Sequence, residues 1–196
     1  GAFLFQPAQW GRVFKLIGIQ RRAAKRRKAA ERTGGHIPPY LIISVTRQCN
    51  LHCKGCYARA QHRDKAGDEL TAEEWARILT EARDSGVGTV IVAGGEPLVK
   101  EGLTEVFSQF PDMVFAVFTN GMLLSDEMVK QVKAMPHVVP VISLEGHGET
   151  TDDRRGPGVY RAVVAAMDRL NAKGVLYGVS HTVTTANLDA VTSRGY

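Results

Sequence analysis

Three cysteines stand close together in the segment TRQCNLHCKGCYA (residues 46–58), and the 196-residue chain has no others. Cys49, Cys53 and Cys56 follow the spacing C-x3-C-x2-C. Three thiols cannot all pair with one another, so the pattern disfavours a disulfide scaffold and fits a reducing, cytoplasmic location. Thiolates this closely spaced are typical ligands of zinc or of an iron–sulfur cluster.

Two kinds of metal centre fit the three thiols. A structural zinc site needs a fourth ligand, which His52 could supply, but His52 adjoins Cys53 and the chain has no second ligand pair. A [4Fe–4S] cluster normally takes four Cys ligands, so three leave one iron open to a small molecule. The segment favours the cluster, and the alternative is a non-catalytic zinc or iron–sulfur binding module of a larger assembly.

The elements that must position these cysteines alternate between apolar, β-branched runs and helical patterns. The predicted strands are 40–46, 89–93, 114–119, 138–144 and 175–183. A capping box at Thr71 and Glu74 begins a helix that ends near Gly86. Further helices are predicted at 103–110, 126–134 and 159–170, and near residue 187. Five β-then-α units predict parallel strands, either in an open doubly wound sheet or in a barrel.

Unusual residues follow four of the five predicted strands. The cysteines follow the first, and the motifs GGEP (94–97), TNG (119–121) and SLEG (143–146) follow the next three. Because functional residues of parallel α/β folds gather at the carboxyl ends of the strands, we expect one site there. His181, at the end of the fifth strand, is expected to be solvated or hydrogen-bonded.

The cysteine spacing and its place after the first strand resemble the radical S-adenosylmethionine (radical SAM) superfamily, from about residue 40 to residue 187. The resemblance implies an α/β fold, a partial (β/α)6 TIM-like barrel of parallel strands, of which about five β/α units are present. It also implies a [4Fe–4S] cluster bound by Cys49, Cys53 and Cys56, with SAM at the open iron.

The activity that the resemblance implies is reductive cleavage of SAM to methionine and a 5′-deoxyadenosyl radical. This radical abstracts hydrogen from a substrate that the sequence does not identify, whether a peptide, a cofactor precursor, a lipid or an RNA. An external one-electron donor of the flavodoxin or ferredoxin type is implied as a partner. No residue is assigned as a catalytic acid or base, since the cluster and SAM generate the radical.

The same resemblance assigns residues to SAM. Gly94, Gly95, Glu96 and Pro97 match the glycine-rich motif whose backbone and carboxylate receive the SAM amino group. The other matching positions are Asn120 near SAM, Ser143 and Glu145 at the ribose, and Arg155 at the SAM carboxylate, with Arg154 as its competitor. Where the family commonly has an aromatic residue before the third cysteine, this chain has Gly55, and Tyr57 is the candidate replacement.

Residues 1–36 form a basic arm that we separate from a core of residues 37–196. The arm contains nine of the 25 Lys and Arg residues and only one of the 20 acidic ones. One interpretation is a helix that packs on the barrel through Trp10, Phe14, Ile17 and Ile19; the others are a peripheral membrane anchor that includes residues 3–5, or a nucleic-acid contact. No segment qualifies as transmembrane, and the chain stops at TSRGY as an incomplete barrel would.

Overall fold

Five parallel strands form one sheet in the computed structural model, which describes residues 7–32, 34–60 and 69–193. The strands are β1 (Tyr40–Ser44), β2 (Thr89–Ala93), β3 (Val114–Thr119), β4 (Val138–Ser143) and β5 (Gly178–Ser180). They neighbour one another in chain order, from Tyr40 opposite Thr89 to Ser143 opposite Ser180. Strand order reverses in a doubly wound sheet and does not reverse here, which confirms the barrel-type α/β prediction.

Helices precede, connect and follow these strands along the chain. They are α1 (Pro7–Glu31), α2 (Tyr57–Ala60), α3 (Ala72–Ser85), α4 (Leu103–Ser108), α5 (Asp126–Ala134), α6 (Gly148–Arg155), α7 (Val159–Ala172) and α8 (Leu188–Thr192), with a 3-10 turn at Pro97–Val99. The capping box is confirmed, since the Glu74 amide donates to Thr71 Oγ1 and the Thr71 amide donates to Glu74 Oε2. Gly86, with φ of 103°, ends α3.

The core lies between the helices and every second residue of the strands. Val90 and Val92 of β2 are buried in one cluster with Leu79 of α3 and Phe107 of α4. A second cluster joins β4 to α5 and α7. The alternate strand residues face the concave side of the sheet, where Ile42 is 62% exposed. The concave side is therefore open, while the convex side is fully packed.

Helix α1 lies across the amino-terminal ends of the strands. Ile19 and Ala23 are buried, and Gln20 Nε2 donates to Gly88 O (3.0 Å) and Thr89 Oγ1 (2.9 Å). Arg27 donates to Gly86 O at 2.7 Å. The helix thus closes the end of the sheet opposite to the strand exits.

The structure corrects several predicted details. Of the four apolar residues expected to pack α1 on the barrel only Ile19 is buried, because the buried face is the one shared by Ile19, Ala23 and Arg27.

Three strands are shorter than predicted. Strand β5 has three residues instead of nine, β1 ends two residues early and β4 ends one residue early. Helix α6 was not predicted, since GETTDDRR lacks an apolar face. Residues 3–5 lie outside the described part of the chain.

No helix in the described ranges has the length and apolar character that crossing a membrane would require.

Candidate functional site

A cavity of about 480 Å³ opens at the carboxyl-terminal edge of the sheet. All three cysteines line it, together with residues from the exits of the four other strands. The lining comprises Cys49, Cys53, Gly55, Cys56, Tyr57, Ile91, Ala93, Gly94, Gly95, Glu96, Phe118, Thr119, Asn120, Ser143, Arg154, Arg155, Ser180 and Thr182. The volume is in the range of small-molecule sites.

Backbone hydrogen bonds hold the cysteine loop on both sides. The Gly95 amide donates to Thr46 O and the Glu96 amide donates to Gln48 O, both at 2.8 Å. On the other side the Lys54 amide donates to Arg154 O at 2.7 Å. The loop that carries the thiols is therefore joined to the β2 exit and to the end of α6.

Gly94 and Gly95 are required by this close contact. A Cβ on Gly95 would lie 1.7 Å from Gln48 O, and one on Gly94 would lie 2.5 Å from Thr46 O. Any side chain at Gly95 would push the cysteine loop away from the β2 exit. The assignment of these glycines to SAM stays a prediction; they line the cavity, and they also admit the backbone of the cysteine loop.

A carboxylate clamp that the sequence did not suggest supports the start of this loop. Glu69 accepts hydrogen bonds from Thr46 Oγ1 and the Arg47 amide, both at 2.8 Å, and pairs with Lys100 at 3.0 Å. Partial burial raises the pKa of Glu69, but these hydrogen bonds outweigh that effect and lower it overall. The clamp joins the cysteine loop to the segment that follows the 3-10 turn.

The three thiols are half-buried and close enough to interact electrostatically. Burial raises the pKa of Cys53, the charges of Arg155 and Arg154 oppose this rise, and the neighbouring Cys49 and Cys56 add to it. Within the described ranges no three His, Cys, Asp or Glu side chains converge on a single metal-ion position. His52 is exposed and does not line the cavity.

Glu96 lies beside the thiols with its carboxylate almost completely buried. It accepts hydrogen bonds from Thr119 Oγ1 and the Asn120 amide, both at 2.7 Å, and from the Leu98 amide at 3.1 Å. Burial raises the pKa of Glu96, and the three hydrogen bonds and the charge of Arg155 oppose that rise. The carboxylate is thus fixed at the wall of the cavity in one orientation.

Asn120 contacts the cysteine loop directly. Its Nδ2 donates to Asn50 Oδ1 at 2.7 Å and lies 3.9 Å from Cys49 Sγ, and its Oδ1 accepts from the Met122 amide. Cys49 Sγ also accepts from the Leu51 amide at 3.5 Å. Asn120 therefore orients the first thiol as well as lining the cavity.

Two guanidinium groups form the opposite wall, and one carboxylate lies behind them. Glu145 is fully buried and pairs with Arg155 and, at 3.5 Å, with Arg154, while the Thr182 amide also donates to it. Two positive charges against one negative charge leave this wall with a positive excess. Arg155 Nε is buried without a hydrogen-bond partner. The arrangement suits a bound anionic group such as a carboxylate.

Most of the predicted site residues meet in the cavity. Two do not line it: Pro97 is buried at the start of the 3-10 turn, and Glu145 lies behind the arginines. His181 contacts Leu144 O and does not line the cavity. The sequence analysis named Thr119 only as part of the motif TNG, and it missed Ser180 and Thr182. Position alone could have indicated the last two, since Ser180 lies opposite Ser143 and Thr182 follows β5.

Gly55 and Tyr57 explain the departure at the third cysteine. Gly55 has φ of 63°, a left-handed conformation that favours glycine over an aromatic residue. Tyr57 begins α2, lines the cavity and is 61% exposed. An aromatic side chain is thus placed beside the thiols from the next turn of the chain.

The residues present fit an iron–sulfur cluster with an amino-acid ligand beside it. The three thiols line the same cavity as Arg155 and Glu96. The guanidinium group of Arg155 suits a ligand carboxylate, and the carboxylate of Glu96 suits a ligand amino group. Thiolates are the usual protein ligands of such clusters.

The sequence profile of the Radical SAM superfamily matches residues 43–188. Among curated proteins, the chain is 29% identical over 153 residues to the Fe-coproporphyrin III synthase of Methanosarcina barkeri, covering 76% of this chain and 38% of that protein. It is 31% identical over 132 residues to the PqqA peptide cyclase of Bradyrhizobium diazoefficiens, covering 66% and 34%. The chain spans well under half the length of these relatives.

Among solved structures, the fold is similar to that of Streptococcus suis SuiB bound to the precursor peptide SuiA. The TM-score is 0.68 at 20% identity, and the match covers 87% of this chain and 40% of SuiB. At 20% identity, this similarity shows a shared fold and nothing about the reaction.

Proposed function

Because the chain belongs to the radical SAM superfamily, we propose that it binds a [4Fe–4S] cluster through Cys49, Cys53 and Cys56 and binds SAM beside it. The observation that supports this most strongly is that the three thiols share one cavity with the diglycine turn and Arg155. When bound and reduced, the cluster supplies the electron that cleaves SAM to methionine and a 5′-deoxyadenosyl radical, which abstracts hydrogen from the substrate.

In this proposal the chain's own residues bind and orient SAM. Glu96 receives the amino group, since its carboxylate is fixed by three donors at the cavity wall. Arg155, which lines the cavity, receives the carboxylate, and Arg154 adds positive charge. Ser143, at the end of β4, is the candidate ribose contact. Glu145 acts behind the arginines as their counter-ion instead of contacting the ribose directly.

The remaining lining of the cavity restricts water. Ile91 and Phe118 form an apolar part of the wall, and the exposed ring of Tyr57 also lines the cavity. Exclusion of water protects a reactive intermediate from side reactions. The electron comes from an external donor, which we propose to be of the flavodoxin or ferredoxin type.

For the substrate we propose a peptide or a tetrapyrrole precursor. The support is that one relative is named as a peptide cyclase, another as a synthase of an iron porphyrin, and that SuiB is similar in fold and was solved with a precursor peptide.

The test is anaerobic reconstitution with iron and sulfide, followed by reduction in the presence of SAM. We expect about four irons per chain and formation of 5′-deoxyadenosine. Cys53→Ala should lose both, whereas His52→Ala, which alters an exposed side chain in the same loop, should retain both. A colourless protein with one zinc, or a Cys53→Ala variant as active as the parent, would contradict the proposal.

A further inference from the structure

Helix α1 presents an outward face on which apolar residues give way to basic ones. We call this face the α1 outer stripe: Trp10, Phe14, Ile17, Arg21, Lys25 and Lys28, all exposed. Successive members are three or four residues apart, so they lie along one side of the helix. The buried residues Ile19 and Ala23 lie on the opposite side.

Six of the eight basic residues of α1 divide into two groups by their contacts. Arg12, Arg26 and Arg27 face the sheet and donate to the carbonyl oxygens of Lys133, Arg83 and Gly86. Arg21, Lys25 and Lys28 point away, and no carboxylate in the described ranges forms an ion pair with them. The inner group explains how α1 docks. The outer group has no part in the fold.

The apolar half of the stripe is also substantially exposed. Trp10, Phe14 and Ile17 are 46%, 63% and 41% exposed. The Trp10 and Phe14 rings contact each other with centroids 5.9 Å apart, which forms one continuous apolar patch at one end of the helix. A compact patch of this kind next to unpaired positive charges indicates an interaction surface.

We propose that the α1 outer stripe binds an anionic lipid bilayer surface. The apolar side chains at one end of the stripe would enter the interfacial region, and the basic side chains at its other end would lie against the anionic headgroups. Charge complementarity selects an anionic partner. The separation of the aromatic residues from the basic ones favours lipid over nucleic acid, where aromatic residues interleave with basic ones to stack on bases.

The position of α1 makes this surface compatible with an accessible cavity. The helix contacts Gly88 and Thr89 at the start of β2 and Lys133 just before β4, whereas the thiols lie beyond the strand exits. A bilayer bound to the outward face would therefore lie on the side opposite to the cavity mouth. The surface is independent of the proposed cofactor chemistry, so a failure of either proposal leaves the other standing.

The test is co-sedimentation of the full chain, without cofactor, with phosphatidylcholine vesicles that contain or lack phosphatidylglycerol. We expect binding only to the anionic vesicles and weaker binding at high salt. The triple variant Arg21→Ala/Lys25→Ala/Lys28→Ala should bind about 100-fold more weakly. The matched control Arg77→Ala/Lys130→Ala/Lys173→Ala removes the same charge from exposed positions on α3, on α5 and at the C-cap of α7, and should bind as the parent does.

A second variant, Phe14→Ser, tests the apolar half and should weaken binding about tenfold without changing the thermal midpoint, since Phe14 is exposed. Equal losses in the two triple variants would overturn the proposal. Tighter binding of the chain to transfer RNA than to vesicles would also overturn it and would assign the surface to nucleic acid. A change in oligomeric state in Phe14→Ser would overturn it as well and would assign the surface to a second copy of the chain.

Discussion

At the scale of single residues, the turn after β2 packs against the cysteine loop and also lines the cavity. Gly95 is in backbone contact with the cysteine loop, and the next residue, Glu96, is fixed by donors from β3 and the 3-10 turn. One short segment thus positions the metal-binding loop and a charged group for the cofactor. This explains why two glycines and a carboxylate are adjacent here.

We predict that Gly95→Ala displaces the cysteine loop, because its Cβ would overlap Gln48 O. The cost should be about 3 kcal/mol of unfolding free energy, measured by urea denaturation, with loss of bound iron after reconstitution. Gly11→Ala is the control, since nothing lies within 4 Å of a Cβ there. An alanine variant at Gly95 that was as stable and as iron-rich as the parent would refute the close packing described for this turn.

At the scale of elements, α1 packs on the core through a buried apolar side chain and hydrogen bonds as well as through its charged residues. The sequence analysis placed residues 1–36 in a separate arm, a boundary that stays a prediction. In the structure Ile19 is fully buried against the core and Gln20 bonds to the start of β2. We infer that α1 contributes to the stability of the barrel.

Ile19→Ala should therefore lower the free energy of unfolding by about 2–4 kcal/mol. Ile17→Ala changes the same residue type two positions away, where the side chain is 41% exposed, and should cost under about 1 kcal/mol. Chemical denaturation of both variants measures the difference. Equal effects would show that α1 is an independent arm.

His137, just before β4, predicts a pH dependence of stability. Its Nε2 contacts Phe107 O at 3.0 Å, and its Nδ1 is buried without a hydrogen-bond partner. Burial lowers the pKa of His137, and the charge of Lys15 adds to this, while the Phe107 carbonyl and Asp112 oppose it. The folded protein therefore resists protonation of this side chain more than the unfolded chain does.

The pKa of His137 is lower in the folded protein than its value of about 6.5 in the unfolded chain. The contribution of neutral His137 to the free energy of unfolding is therefore fully present above that pH and is lost as the pH falls towards the pKa of the folded protein. His137→Gln keeps a donor for Phe107 O and removes the titration. Between about pH 7.5 and about pH 5.5 it should lose less stability than the parent. The control His36→Gln, at an exposed position, should follow the parent. Parallel pH curves for all three proteins would exclude His137 as the cause.

At the scale of the whole molecule, periodicity and strand exits predicted most of the fold and the site. Buried runs such as TVIVA and a capping box at Thr71 are local signals, and β2 and α3 match them. Helix α6 gave no apolar signal, yet it supplies both arginines of the cavity. The docking side of α1 could not be predicted because apolar residues occur all round the helix, so only the tertiary contact at Ile19 selects one face.

The contacts made by Glu145 and Asn120 were also beyond sequence reasoning. The resemblance assigned Glu145 to the ribose and Asn120 to a position near SAM, but the protein groups that each one contacts depend on the fold. Glu145 is buried against two guanidinium groups, and Asn120 is bonded to Asn50 in the cysteine loop. Long-range partners of this kind depend on which loops meet in three dimensions.

The central claim is that three cysteines hold a cluster with one position left for SAM. The most direct measurement is electron paramagnetic resonance of the reconstituted, reduced protein with and without SAM. We predict a [4Fe–4S]⁺ signal that changes when SAM is added, because SAM binds at the iron without a cysteine ligand. A cluster signal that SAM leaves unchanged, or no iron-based signal at all, would contradict the account.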